Sequence, residues 1–236
     1  MQTRRFILVV AAVLALLYAL FWHWQTPGES GRLTRAEIDD FLAVMEADFP
    51  LPEEEKPSFL ARMRAWGEAD DGKPVYMLNI MRYHDEIVAV PGVDGIAGTP
   101  HESNQYYEDQ VLPLIFKLGA YPLIGADVVG ISEDGSQHSN IAGFGPELDD
   151  WGRVIVVRYP NRRAYFRLFS DPAYASIVPY KLAALEVGLA PIAPEVVIPE
   201  LRLTLAGVLL MLFLGVGWWR AARDCRSQAV PLGQLH

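Results

Sequence analysis

Two polar side chains interrupt a strongly apolar run: Asn79 and Arg82, within Val75-Tyr76-Met77-Leu78-Asn79-Ile80-Met81-Arg82-Tyr83. An amide or guanidinium buried in such surroundings must find hydrogen-bond partners. Asn79 can orient a ligand carbonyl or carboxylate, or bond neighbouring backbone. Arg82 can do the same for a ligand or pair with an acid at the strand end, which is the simpler role. Tyr106, Tyr107, Tyr165, Tyr174 and Tyr180 can line a pocket with hydroxyls at its mouth, or fill a core with the hydroxyls reaching water. His84-Asp85-Glu86 and His101-Glu102 carry the imidazole and carboxylate groups that bind metals. Their spacing fits no established motif, so solvated polar residues and no metal are expected. Haem needs a proximal imidazole in a pocket, and His84, His101 and His138 all fall in expected loops, so no cofactor is expected. Gly92, Gly95 and Gly98 lack the strand-to-helix context and lysine of a phosphate-binding loop. Gly130-Ile131-Ser132-Glu133 lacks the second glycine of a nucleophile elbow. Asp70-Asp71-Gly72 and Asp149-Asp150 read as solvated turns, with a weak calcium contact as the alternative.

The elements that must hold these residues follow from period and capping. Thr34-Arg35-Ala36-Glu37 is a capping box ahead of Ile38, Phe41, Leu42 and Met45, so an amphipathic helix is expected, ended by Pro50 and Pro52. A second helix is expected from about Pro57 to Trp66, closed by Gly67. The apolar run from Val75 to Tyr83 alternates as a strand, with Val75, Met77, Asn79, Met81 and Tyr83 on one face and Tyr76, Leu78, Ile80 and Arg82 on the other. After a Gly- and Pro-bearing loop, His84 to Glu102, Ser103 is expected to cap a helix to Lys117 that stops at Gly119, with Pro113 bending or restarting it. Strands are expected at Tyr121 to Ile131 and Arg153 to Tyr159, joined by the polar stretch Ser132 to Asp150. Asn161 caps a helix to about Phe169, Asp171-Pro172 starts another reaching Leu185, and Val187 to Ile192 supplies a last strand.

Both ends are different. Phe6 to Trp22 and Leu203 to Trp219 are free of charge and long enough to cross a bilayer core of about 30 Å with slight thinning or snorkelling. Arg4 and Arg5 precede the first run, and Arg220, Arg223 and Arg226 follow the second, so both tails are expected on the cytoplasmic side. Between them, Gln25 to Glu200 holds 14 Lys and Arg against 28 Asp and Glu. That acidic excess speaks against nucleic acid or an anionic membrane surface as partner. A cleaved signal peptide is the rival for the first run; no small-x-small cleavage site follows it, and an uncleaved anchor is favoured. Cys225 is the only cysteine, beyond the second run, so no disulfide staples the central region. The expected divisions are a tail 1–5, a span 6–24, a linker and helical collar 25–72, a domain 73–194, a span 201–219 and a tail 220–236.

The order strand, helix, strand, strand, helix, strand matches the split βαβ pattern. The run Tyr76 to Tyr83, the stretch Tyr107 to Gly119, Arg158-Tyr159-Pro160-Asn161-Arg162-Arg163-Ala164-Tyr165, Ser170-Asp171-Pro172-Ala173-Tyr174 and Ala183-Ala184-Leu185-Glu186 resemble a small uncharacterised domain family of the dimeric α/β-barrel superfamily. That superfamily also holds the antibiotic-biosynthesis monooxygenases and EthD-like proteins. The resemblance covers about Pro74 to Ile192. It implies an α+β, ferredoxin-like fold: a four-stranded antiparallel sheet with helices on one face, whose other face meets a second subunit to complete a barrel. Ligands are then expected between sheet and helices. The chain departs from the pattern in its long His84 to Glu102 loop, in the spans and collar, and in reading Tyr180-Lys181 where a His-Arg pair is expected.

Asn79, Arg82, Tyr107, Tyr180 and Lys181 are therefore the candidate ligand-binding residues, and no catalytic residue is singled out. The expected function is a membrane-anchored module of the inner (plasma) membrane, its central domain periplasmic or extracellular. It would be a homodimer through the sheet, binding a small apolar molecule or a protein partner. The alternative is a cofactor-independent monooxygenase- or isomerase-like enzyme acting on a small organic substrate. An ionisable group of perturbed pKa in a pocket near Asn79 would favour the enzyme, and its absence binding or pure structure.

Overall fold

A computed structural model describes residues 2–25, 31–91, 95–133, 136–141, 149–193 and 201–227. Pro27 to Ser30 of the expected linker, Gly92 of the glycine-bearing loop, part of the Ser132 to Asp150 stretch and the tail beyond 227 lie outside them. The chain divides into two units, Met1–Ala193 and Pro194–His236.

In the first unit the elements run α1 (Gln2–Gln25), α2 (Arg35–Asp48), α3 (Lys56–Glu68), β1 (Val75–Tyr83), α4 (Pro100–Lys117), β2 (Tyr121–Asp127), β3 (Ile131–Glu133), β4 (Ser136–His138), β5 (Arg153–Tyr159), α5 (Arg162–Phe169), α6 (Pro172–Ala184) and β6 (Leu185–Ile192). Four strands make one antiparallel sheet in the order β2-β5-β1-β6, and β3 with β4 forms a separate hairpin. The chain's fold is thus a mixture of helices and an antiparallel four-stranded sheet. Its central strand is the one whose two-residue alternation was clearest. Val75, Met77, Asn79 and Met81 are buried, while Tyr76, Leu78, Ile80 and Arg82 are half-buried on the opposite face.

Capping explains where the helices start. The Thr34 box forms as expected, with Glu37 Oε2 accepting from the Thr34 amide at 2.7 Å. Helix α4 begins earlier than expected. Thr99 caps it just ahead of Pro100 at the first helical position, and Glu102 three residues after the cap closes a second box. Ser103 is instead buried inside the helix and its hydroxyl donates to the Tyr180 carbonyl at 2.8 Å, tying α4 to α6. Pro113 is accommodated within α4 without ending it. Gly67 does not close α3 but lies within it. A Cβ there would come 2.9 Å from Phe166 Cζ, so the glycine lets α3 approach α5. The expected long strand Tyr121 to Ile131 ends at Asp127, and β6 starts at Leu185, directly after α6.

The core lies between the sheet and α2, α3, α4, α5 and α6. Helices α2 and α3 supply Ile38, Leu42, Met45 and Met63 to the same core cluster as Phe166, Leu168 and Tyr174. Phe49 stacks on Phe169 at 5.1 Å and on Phe59 at 5.3 Å, and Trp66 stacks on Phe166 at 5.8 Å.

The stretch Leu8–Gln25 of α1 is long and apolar enough to cross a membrane, and none of it is buried within the protein. Its last turn is fastened to the sheet domain. Trp24 Nε1 donates to the Phe116 carbonyl at 2.6 Å, Gln25 Nε2 donates to the Gly119 carbonyl, and Arg158 donates to Gln25 Oε1 at 2.6 Å. Gly119 adopts φ +71°, and a Cβ there would strike the Trp24 carbonyl, so both conformation and space demand glycine. The second unit consists of α7 (Leu201–Ser227), whose Thr204–Arg223 stretch is likewise long and apolar enough to cross a membrane.

Candidate functional site

Between the inner face of the sheet and helices α4, α5 and α6 lies a cavity of about 350 Å³. Met77, Asn79, Ile155, Val157 and Leu189 form its sheet side, and Tyr107, Val111, Ile115, Tyr165, Phe169, Tyr174 and Lys181 its helical side. The walls are largely apolar and aromatic, as small-molecule sites commonly are.

Asn79, Gln105, Glu108, Asp109, Arg153 and Lys181 are the polar members of the lining, and Lys181 is the buried cation among them. It is 7% exposed, and Nζ donates to Asn79 Oδ1 at 2.8 Å. Asn79 in turn donates through Nδ2 to the Met77 carbonyl at 3.2 Å and, more weakly, to the Ile155 carbonyl at 3.5 Å. The amide is thereby held with its oxygen toward the lysine. The ammonium also lies 5.4 Å from the centroid of the Tyr107 ring. An ammonium has three protons to donate, and among the described residues only Asn79 accepts one. Burial pushes the Lys181 ammonium down to about 8, with the nearby Glu108 charge opposing the shift.

Among the described residues no carboxylate pairs with this charge at contact distance. Glu108, the acid that comes nearest to doing so, is occupied by Arg153: Nε reaches Oε1 and Nη2 reaches Oε2, both at 2.6 Å, while Nη1 reaches Asp127 at 2.6 Å. Asp109, at the exposed edge of the cavity, accepts from Gln105 at 2.9 Å. Of the tyrosines, Tyr107 and Tyr174 place their hydroxyl oxygens 3.5 Å apart. Burial raises Tyr107, Tyr159 and Tyr165 well above the usual phenol range and Tyr174 to about 12, so all four stay neutral proton donors at physiological pH.

Three of the five expected ligand-binding residues, Asn79, Tyr107 and Lys181, come together here. The other two do not. Arg82 lies on the opposite face of β1, where it pairs with Glu186 at 3.1 Å, donates to the Asp149 carbonyl at 2.6 Å and covers the Trp151 ring at 4.9 Å. This is the strand-end acid pairing that its position allowed. Tyr180 turns its ring onto Tyr106, 4.6 Å between centroids, outside the cavity. Tyr165 and Tyr174 do line it; Tyr159 and the Glu108–Arg153 pair join from positions that the sequence had not singled out.

His84, Asp85 and His101 border a second, polar depression with Tyr83 and Trp151, where the His101 ring stacks on Tyr83 at 3.8 Å. Among the described residues no group of three or more His, Cys, Asp or Glu is arranged to hold a metal.

No protein-family model matches the chain, and no curated protein matches it. Two crystal structures of the RPA0582 protein resemble it. One, of the methylated protein, is 24% identical, covers 61% of this chain and 93% of its own, and superposes with a TM-score of 0.47. The other, described as a protein of unknown function from Rhodopseudomonas palustris, is 22% identical over 64% of this chain and 98% of its own, with the same TM-score.

Proposed function

We propose that the chain is a membrane-anchored, extracytoplasmic module that binds a small, largely apolar molecule in the cavity between sheet and helices. The observation that carries this reading is Lys181: a buried ammonium, held by a neutral amide, lining a largely apolar, tyrosine-walled space that Glu108 and Arg153 also border. A structural lysine in a core is ordinarily matched to a carboxylate; one whose described acceptor is a single neutral amide beside a cavity supports a ligand site there. Full-length protein should bind the amphiphilic anion 1-anilinonaphthalene-8-sulfonate with a saturable fluorescence rise that Val111→Trp, which fills the cavity, removes. A rise unaffected by that substitution would contradict the reading.

The rest of the assembly follows from the same layout. The strand order β2-β5-β1-β6 supports a ferredoxin-like fold. The outer face of its sheet presents Tyr76, Leu78, Ile80, Val154 and Val156 with exposed Ile124, an apolar surface suited to a second copy of the chain. A homodimer closed on that face should sediment as a dimer in detergent, and Leu78→Arg should make it a monomer. A monomeric wild type would remove the dimer from the account. The basic residues outside both apolar helices support cytoplasmic tails with the central domain on the far side. The bonds from Trp24 and Gln25 into the domain support an anchor that stays attached rather than a cleaved signal. Protease added outside intact spheroplasts should then cut the central domain.

One observation favours the second reading, a cofactor-independent enzyme acting on a small organic substrate. The depressed Lys181 ammonium beside Asn79 is the kind of tuned group that acid–base catalysis uses.

A further inference from the structure

We propose that the occupant of the cavity is a small amphiphilic carboxylic acid, its carboxylate received by Lys181 Nζ and its apolar body lying among Tyr107, Val111, Ile115 and Phe169. This deepens the binding reading and rests on it.

The charge pattern argues for an anion. Lys181 is 7% exposed, and its one acceptor among the described residues is Asn79 Oδ1 at 2.8 Å, a neutral oxygen, with the Glu108 charge acting only from beyond contact. Two protons of the ammonium remain for a guest, which suits the paired oxygens of a carboxylate. The charged groups around it leave that role open. From α4, Glu108 is spent on Arg153 of β5 through two contacts of 2.6 Å, and Asp109 stays at the exposed edge with Gln105. Arg153 is itself held by Glu108 and Asp127. The phenols facing the cavity, Tyr107, Tyr159, Tyr165 and Tyr174, are neutral, and that of Tyr107 meets Tyr174. A cation with no carboxylate in contact among the described residues, in a space of about 350 Å³ walled mostly by rings and branched chains and bordered by the paired Glu108 and Arg153, matches a molecule with one anionic end and an apolar remainder. A neutral apolar guest would leave the ammonium buried and unmatched.

Binding should therefore be linked to protonation. The free ammonium sits near 8, and a carboxylate in contact raises it. Complex formation should take up close to one proton per site at about pH 9 and almost none at about pH 6.5, where free protein is already protonated.

The test uses the full chain in nanodiscs, with empty nanodiscs as blank, titrated calorimetrically with benzoate, 2-naphthoate and octanoate and with the matching neutral alcohols. Repeating the titrations in buffers of different ionisation enthalpy counts protons. At least one acid should bind about tenfold or more tightly than its alcohol, and Lys181→Met should remove that preference while leaving the alcohol's affinity within about twofold. Acid and alcohol binding equally, or proton uptake absent at pH 9, would overturn the carboxylate proposal while the binding reading stands. No member of either series binding in a way that Val111→Trp abolishes would overturn both. Reduction with borohydride in the presence of 2-naphthaldehyde gives a further arm. A stable adduct on Lys181, together with no acid preference, would overturn the proposal and assign the amine to carbonyl addition.

Discussion

Two cations in this domain are almost equally buried, and their surroundings could hardly differ more. Arg163, 5% exposed, sits in the first turn of α5, where Glu37 of α2 meets its Nε at 2.9 Å and its Nη2 at 3.2 Å, and the carbonyls of Gly31 and Arg32 accept from its other donors at 3.1 Å. Its charge is matched and its fork is filled, so it clamps α2 and the strand of chain before it onto α5. Lys181, 7% exposed, has a neutral amide and the face of a phenol. Burial alone does not tell a structural cation from a functional one; the distinction is whether the surrounding groups complete it.

Substitution at the two sites should therefore act in opposite directions. Arg163→Met should be the most damaging, costing about 3–5 kcal/mol of unfolding free energy by denaturant titration of the full chain, because it strands Glu37 and two backbone carbonyls. A loss below about 1 kcal/mol would erase the contrast. Lys181→Met should stabilise the ligand-free protein at neutral pH by about 1–2 kcal/mol. Burying the ammonium costs up to roughly 3 kcal/mol, and orphaning the Asn79 oxygen returns part of that. The pH dependence sharpens the point. Between about pH 8 and 10.5 the unfolded chain keeps a proton that folded Lys181 has released, so wild-type stability should rise through that window and level off above it. The Lys181→Met protein should lack that rise.

Smaller effects complete the series. Glu37, held down to about 2 chiefly by its hydrogen bonds from Arg163, contributes stability that is present above about pH 4.5 and disappears as the pH falls toward 2. Glu37→Gln should lose about 1 kcal/mol at pH 7 and flatten that acid limb, which thermal melts across pH would register. Asn79→Ala should abolish probe binding in the cavity, since it frees Lys181 from the position that its amide sets, and should cost about 1–2 kcal/mol of stability by leaving the buried ammonium without its acceptor. A large stability loss with binding intact would make Asn79 a purely structural residue.

Parts of this contrast were legible in the sequence. Asn79 announced itself as an amide in an apolar strand, and the two-residue period gave the residues that share its face, while which face meets the core was not readable because both are mostly apolar. Lys181 carried a subtler signal: it follows Ile177 by four residues and Tyr174 by seven, so it lies on the apolar stripe of α6. Arg163 was not readable in this way. Beside Arg162 at a helix start it looks like solvated charge, and Glu37, its partner 126 residues away, was fully explained by the Thr34 capping box. The Glu108–Arg153 pair, which leaves Lys181 without a counter-ion, is equally long-range and has no local pattern. Local chemistry thus gave strand faces and most helix limits. It misplaced the start of α4, where two hydroxyls compete to cap within five residues, and the hairpin of β3 and β4, whose short polar strands have no apolar face to betray them.

The central claim is that Lys181 is an uncompensated cation facing the cavity, and its titration can be followed directly. The chain has four lysines, Lys56, Lys73, Lys117 and Lys181, so spectra of the full protein with isotope-labelled lysine side chains can be assigned with Lys181→Met. Lys181 should titrate near 8 without ligand and move above about 10 when a carboxylate occupies the cavity. A ligand-free midpoint near the ordinary lysine value of about 10.4 would contradict the account.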